Sequence, residues 1–92
     1  MLPFSTYDQA IALANNTTYG LGASVWSPNI ALANEIAQQL EAGSVWVNTH
    51  FDLDPRVPFG GHKMSGLGVE MGVEGLKSFC NIQTLYLRKV KL

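Results

Sequence analysis

Cysteine is almost missing from this chain: Cys80 is the single one in 92 residues, which excludes an internal disulfide framework. Charge is scarce too, at 14% of residues and a formal net charge of −1. The six cations are scattered apart from Arg88, Lys89 and Lys91, which read as a solubilising end. With no basic patch to hold phosphates, nucleic acid is excluded as a partner. No apolar run reaches the roughly 20 residues of a membrane span, and nothing at the N-terminus resembles a signal peptide. The expectation is a cytoplasmic chain without a membrane partner, in which the two overlapping glycosylation sequons of Asn15-Asn16-Thr17-Thr18 are accidental.

Apolar residues are plentiful, at 47%. A folded chain of this size buries only about 60–65% of the surface its unfolded form exposes. So little charge on so short a chain therefore implies that part of its surface expects a partner.

Ser5-Thr6-Tyr7-Asp8 has the form of a helix start, with Ser5 as cap and Asp8 at the capping-box position. Tyr7, Ala10, Ile11 and Ala14 follow at helical spacing, Asn15-Asn16 ends the helix, and Gly20 marks the turn after it. Residues 21–26 alternate as a short strand. Ser27-Pro28 reads as a cap with proline in the first turn. Ala33, Ile36, Ala37 and Leu40 line one side of a second helix, which Gly43 is placed to terminate in the left-handed conformation. Residues 44–48 form a second strand, with Val45, Trp46 and Val47 apolar on both faces. Strand–helix–strand over this length predicts a crossover unit with parallel pairing, hence an α/β fold.

Residues 49–66 show no periodicity. Loops longer than about 12–15 residues are functional or disordered, and Phe51, Leu53, Val57 and Phe59 argue here for the wall of a ligand pocket. Residues 69–79 predict a third helix in which Gly72 and Gly75 signal close packing. Residues 81–90 predict a last strand, with Ile82, Thr84 and Tyr86 on one face and Leu85 and Leu87 on the other. Nothing in the chain is an obvious neighbour for it, and an unpaired apolar strand invites a strand from elsewhere.

The glycine-rich segment 60–68 fails as a phosphate loop. Gly61 and Gly66 have Walker spacing, but Leu67-Gly68 stands where Lys-Ser/Thr must meet phosphate and magnesium, and Met71 stands where a dinucleotide fingerprint needs its third glycine. Tight backbone turning is the better reading. His50 and His62 have no partners at metal-ligand spacing, so Asp52 and Asp54 beside His50 read as loop solvation. Cys80 has no recognisable base nearby and reads as a structural thiol. The residues alone stop at an incomplete α/β unit with an apolar loop and an unpaired terminal strand.

Three blocks add a resemblance. Asn15-Asn16-Thr17-Thr18-Tyr19-Gly20-Leu21-Gly22-Ala23, Leu40-Glu41-Ala42-Gly43-Ser44-Val45-Trp46-Val47-Asn48, and Pro58-Phe59-Gly60-Gly61-His62-Lys63-Met64-Ser65-Gly66-Leu67-Gly68 resemble, in order and spacing, blocks of the NAD(P)-dependent aldehyde dehydrogenase superfamily. Glu70, Gly72, Gly75 and Leu76 continue the pattern. The resemblance covers essentially the whole chain and implies the C-terminal segment of that fold. Residues 1–64 would finish the catalytic domain, 65–79 return as a helix to the cofactor-binding domain, and 80–92 form an oligomerisation strand and tail.

The resemblance also implies the chemistry. Such enzymes oxidise an aldehyde to its acid with NAD or NADP, through a cysteine nucleophile and a glutamate base. The Gly-Gln-x-Cys and Glu-Leu-Gly-Gly motifs of those two groups are absent, and Cys80 does not match. The isolated chain is therefore expected to be inactive and to bind no cofactor. By position, Thr49, Leu53 and Phe59 match the substrate pocket, and Asn48 would support its loop by hydrogen bonding or serve as a structural cap. In the betaine-aldehyde branch the residues matching Lys63 and Gly66 hold a monovalent cation through backbone carbonyls, and the one matching Glu70 relays charge. Here Val69 replaces the arginine usual before that glutamate, and a structural ion pair competes for Glu70. Arg56, three residues before Phe59, is placed to meet an acidic substrate or solvent. The expected partners are a small aldehyde and a second copy of the chain, as dimer or tetramer, through residues 81–90. A non-catalytic, self-associating module is the alternative.

Overall fold

Helix starts and stops depend on which side chain reaches an unpaired backbone amide. In the computed structural model, which describes residues 1–91, Thr6 caps α1 (Tyr7–Asn15) by accepting from the Gln9 amide. Gln9 reaches back with its side-chain oxygen to the Ser5 amide at 2.7 Å. The capping box thus sits one residue later than expected and uses Gln9 in place of Asp8, because glutamine has the reach to turn back. The second helix, α2 (Ile30–Ala37), is displaced in the same way. Asn29, not Ser27, caps it by accepting from Leu32, while the Ser27 hydroxyl accepts from the Asn29 amide outside the helix.

The α/β reading holds. Strands β2 (Gly22–Val25) and β3 (Ser44–Val47) pair in parallel, with Gly22 opposite Ser44 and Val25 opposite Val47, and α2 makes the crossover between them. A second, antiparallel pair was not foreseen. Gly20, expected in a turn, lies in β1 (Tyr19–Gly20), which pairs with β4 (His62–Lys63) inside the supposedly aperiodic loop.

Gly43 does not terminate α2, which ends six residues earlier at Ala37, and its φ is not positive. Its function is close approach: a Cβ there would lie 1.7 Å from the Gly60 carbonyl oxygen. The third helix is also shorter than predicted. It is α3 (Gly72–Lys77), and Gly72 opens it at φ 64° after Met71 at φ 61°, so Val69 lies outside. Two successive left-handed residues break the helical path that the apolar spacing suggests.

Residues 81–91 carry no hydrogen-bonded strand. A strand exists only through its partner, and the described residues supply none. Ile82, Tyr86 and Leu87 are more than nine-tenths exposed. Leu92, the last residue of the expected 80–92 segment, lies outside the described residues.

Ala33, at 0% exposure, is the buried hydrophobic residue among those described, and no large side chain is fully buried. The chain exposes 7940 Å², where a compact monomer of its mass exposes about 5,200 Å². Its radius of gyration is 19.5 Å, against about 12 Å for a compact chain of this length. The apolar excess noted in the sequence therefore stays on the surface. Gly43→Ala is expected to destabilise the chain by about 1–3 kcal/mol, since the added methyl must displace backbone. Chemical denaturation reads this as a lowered midpoint, and an unchanged midpoint would show that the 43–60 contact is loose.

Candidate functional site

The chain leaves β3 through Asn48, a non-glycine residue at φ 55°. Its carboxamide holds that conformation by clipping onto the other strand's exit. Oδ1 accepts from the Ser27 amide at 2.8 Å, and Nδ2 donates to the Ser27 carbonyl at 2.9 Å. This is the loop support expected of Asn48, and it ties the two parallel strand ends together.

Beyond the clip the loop turns back along β3. Phe51, at φ 57°, brings its ring edge-on to Phe59, with centroids 6.0 Å apart at 87°. Trp46 from β3 stands behind, 6.2 Å from Phe51 and 5.2 Å from His50. The Trp46 indole donates to the Asp52 carbonyl at 2.9 Å, which fixes the loop against the strand. His50, expected to be merely solvated, belongs to this aromatic group, and its Nδ1 lies 3.2 Å from the Ser24 hydroxyl. Within this cluster the near-perpendicular Phe51–Phe59 pair gains from edge-to-face packing beyond the area it covers, while Trp46 meets Phe51 tilted at 48°.

Between β3 and this loop lies a cavity of about 400 Å³, bounded by residues 43–46 on one side and by Leu53, Val57, Pro58 and Phe59 on the other. Two of the expected pocket residues, Leu53 and Phe59, thus meet at one cavity. Thr49 does not line it; it sits half-buried at the strand exit. Phe51 was noted in the sequence only as an apolar loop residue, and its contact with Phe59 depends on a left-handed backbone that no local pattern announces.

Phe59 is held by two backbone hydrogen bonds with Glu70, each 2.8 Å, which close residues 59–70 into a lobe. The Glu70 carboxylate makes no ion pair or side-chain hydrogen bond among the described residues, so the structural ion pair weighed for it is not present there. Gly66 is exposed at φ 122°. Lys63 directs its ammonium at the carbonyls of Asn15 and Thr17 and at the Glu41 carboxylate. No cluster of three or more His, Cys, Asp or Glu that could hold a metal ion occurs among the described residues. Cys80 is exposed and donates its thiol weakly to the Leu76 carbonyl at 3.6 Å.

Asn15 is a residue whose importance the sequence did not reveal. Its carboxamide donates to the Gln39 carbonyl and accepts from the Glu41 amide, both at 2.9 Å. The side chain that a glycan would need is used inside the fold. Arg56 folds back onto Asp54: its amide, Nε and guanidinium all donate to that carboxylate. Arg56 is thereby engaged with Asp54, although its side chain stays 86% exposed. The side-chain hydrogen bond from Arg56 and then its backbone amide hold Asp54 below the ordinary carboxylate range.

Comparison with known proteins gives a consistent result. The model of the aldehyde dehydrogenase family matches residues 1–85. An aldehyde dehydrogenase of a Fusarium species is 52% identical over 86 residues, 94% of this chain and 19% of the relative. The mitochondrial aldehyde dehydrogenase of Homo sapiens is 41% identical over 88 residues, 96% of this chain and 17% of the relative. The crystal structure of betaine aldehyde dehydrogenase from Staphylococcus aureus in complex with NAD+ superposes with a TM-score of 0.80 at 42% identity, covering 83% of this chain and 15% of that one. The chain spans about a fifth of the length of the curated relatives it matches.

Two outcomes follow from the site's geometry. Asn48→Ala removes both bonds of the clip and is expected to cost about 1–3 kcal/mol, measured by chemical denaturation. In a carboxyl NMR titration, Asp54 is expected to titrate below an ordinary aspartate and to move back toward the usual range in Arg56→Ala, which removes the guanidinium and keeps the backbone amide. Because its folded value is depressed, the contribution of this turn is complete above the ordinary carboxylate value and is lost as pH falls through the lowered one. An Asp54 that titrates normally with Arg56 intact would show that the pair is not formed in solution.

Proposed function

The chain belongs to the aldehyde dehydrogenase family, and from that premise we propose that it is one segment of an NAD(P)-dependent enzyme oxidising an aldehyde to its carboxylic acid, in which it supplies a wall of the substrate pocket and a subunit contact. The cavity beside β3 carries this reading, because Leu53 and Phe59, the positions that match the family's pocket, meet there. Phe59, backed by Phe51, offers an aromatic face that excludes water from the apolar part of an aldehyde. Leu53, on the same side of the cavity, makes the neighbouring part of the wall aliphatic.

The nucleophile and the base belong to other parts of the enzyme, since Cys80 lacks the motif that surrounds the family's reactive cysteine. Bound NAD or NADP accepts the hydride. This chain's residues do not themselves fit a dinucleotide: the glycine segment 60–68 folds back through the Phe59–Glu70 bridge, and the six-residue α3 does not complete a strand–loop–helix phosphate cradle. On the same reading, residues 1–64 complete the catalytic domain, residues 65–79 return toward the cofactor domain, and residues 81–90 pair with a strand of a second subunit. The exposed Ile82, Leu85, Tyr86 and Leu87 support that pairing.

In an enzyme carrying this segment, Phe59→Ala is expected to lower kcat/KM for bulky apolar aldehydes by roughly 10–100-fold. Values unchanged for every aldehyde would remove the pocket-wall role. The 92-residue chain alone, mixed with aldehyde and NAD or NADP, is expected to form no reduced cofactor; aldehyde-dependent reduction would overturn the assignment of the catalytic groups elsewhere.

A further inference from the structure

We propose that Lys63 is the positioning residue for Phe59: its ammonium anchors the 59–70 lobe and thereby sets where the aromatic pocket wall stands. The inference rests on the pocket reading of Phe59 given above.

The lobe is closed on itself by the paired backbone bonds between Phe59 and Glu70. Its placement, and with it that of Phe59, is therefore decided by how β4 and its neighbours dock. Beside the Phe51–Phe59 ring contact and the approach of Gly60 to Gly43, three neutral hydrogen-bonded contacts join it to the rest of the chain. β4 pairs with β1, the Met64 amide donates to the Thr18 carbonyl at 2.8 Å, and the Gly20 amide donates to the Ser65 hydroxyl at 2.9 Å. These hydrogen-bonded contacts all lie on the β1 side, and a two-residue ladder by itself fixes the tilt of the lobe weakly.

Lys63 supplies the cross-tie. Its Nζ donates to the Asn15 carbonyl at 2.9 Å, lies 3.4 Å from the Thr17 carbonyl, and pairs with the Glu41 carboxylate. An ammonium has three donors and no acceptor, and here three acceptors face it: two on the 15–17 stretch that leads into β1, and the Glu41 carboxylate on the separate stretch that leads into β3. Asn15 is the last residue of α1, where carbonyls lack intrahelical partners and the helix dipole favours a cation. Glu41 lies two residues before Gly43, whose backbone abuts that of Gly60, the residue after Phe59. The lysine tether and the glycine contact thus hold the lobe against one short stretch leading into β3, the strand that forms the far side of the cavity.

Two further features support this role. Lys63 adopts φ 54°, a left-handed conformation that residues with side chains keep only where their surroundings over-determine it. Its side chain is 27% exposed, so the ammonium is partly sheltered, while the Glu41 carboxylate is 58% exposed and its part of the tether stays screened by solvent.

The test is a double-mutant cycle in the enzyme that carries this segment. Lys63→Met keeps the stem and removes the charge. It is expected to raise KM for bulky apolar aldehydes by roughly ten-fold, to leave the smallest aldehydes within about two-fold, and to change kcat little. Phe59→Ala with Lys63→Met is expected to be no worse for bulky aldehydes than Phe59→Ala alone, because the lysine acts through that ring. Additive losses, or a Lys63→Met enzyme with unaltered KM across the size series, would overturn the proposal. If Lys63→Met does not fold, Glu41→Gln, which weakens the same tether, is expected to show the same size-dependent KM shift, and its absence is equally fatal. A Phe59→Ala enzyme without any change would instead sink the pocket reading itself, so the two failures are distinguishable.

Discussion

The parallel ladder between Gly22–Val25 and Ser44–Val47 is the constraint on which the rest of this molecule depends. Parallel neighbours cannot be joined by a tight turn, so the chain must cross over through α2. The crossover delivers both strands with their carboxyl ends on the same side, and there the Asn48 carboxamide bridges to Ser27. Ligand sites in open α/β sheets gather at such ends because the loops leaving them share a crevice. The loop that leaves β3 here carries Phe51, Leu53, Val57 and Phe59 back along the strand and borders the candidate pocket.

The ladder is held by little local burial. Among the described residues Ala33 is fully buried, while twenty-three large apolar side chains are exposed. In place of a core, the described residues are joined by backbone proximity and by side chains that bind backbone at long range. Gly43 meets Gly60, Asn15 spans the 39–41 connection, Asn48 spans to Ser27, and Lys63 reaches Asn15 and Thr17. Hydrogen bonds of this kind specify geometry more than they add stability, since each replaces a bond to water. Such an arrangement suits a segment whose apolar faces are covered by a larger assembly, which is the proposed setting.

Much of this was legible along the chain, and the misses share a cause. The crossover unit, the pairing sense of its strands and the apolar character of the 49–66 loop follow from periodicity and from residue type, which are local. Cap positions shifted by one or two residues because Ser5, Thr6, Ser27 and Asn29 are all competent caps and the choice depends on which amide each reaches. Gly43 looked like a helix terminator, yet its reason for being glycine lies seventeen residues away at Gly60. The strand pair β1–β4 was invisible because two residues are too few to show alternation.

The candidate site divides in the same way. Residue identity along the chain determined that the 49–66 loop is apolar at Leu53 and Phe59, that no disulfide framework is available, and that the residues match one enzyme family, because composition, spacing and motif order are properties of the chain itself. Only the tertiary structure decided that Phe51 stands edge-on to Phe59, that Thr49 stays out of the cavity, that Lys63 directs its ammonium at the Asn15 carbonyl and the Glu41 carboxylate, and that residues 81–91 stand without a strand partner among those described. Those outcomes depend on left-handed residues and on contacts between segments twenty to fifty positions apart, and such contacts leave no periodic trace in the order of the amino acids.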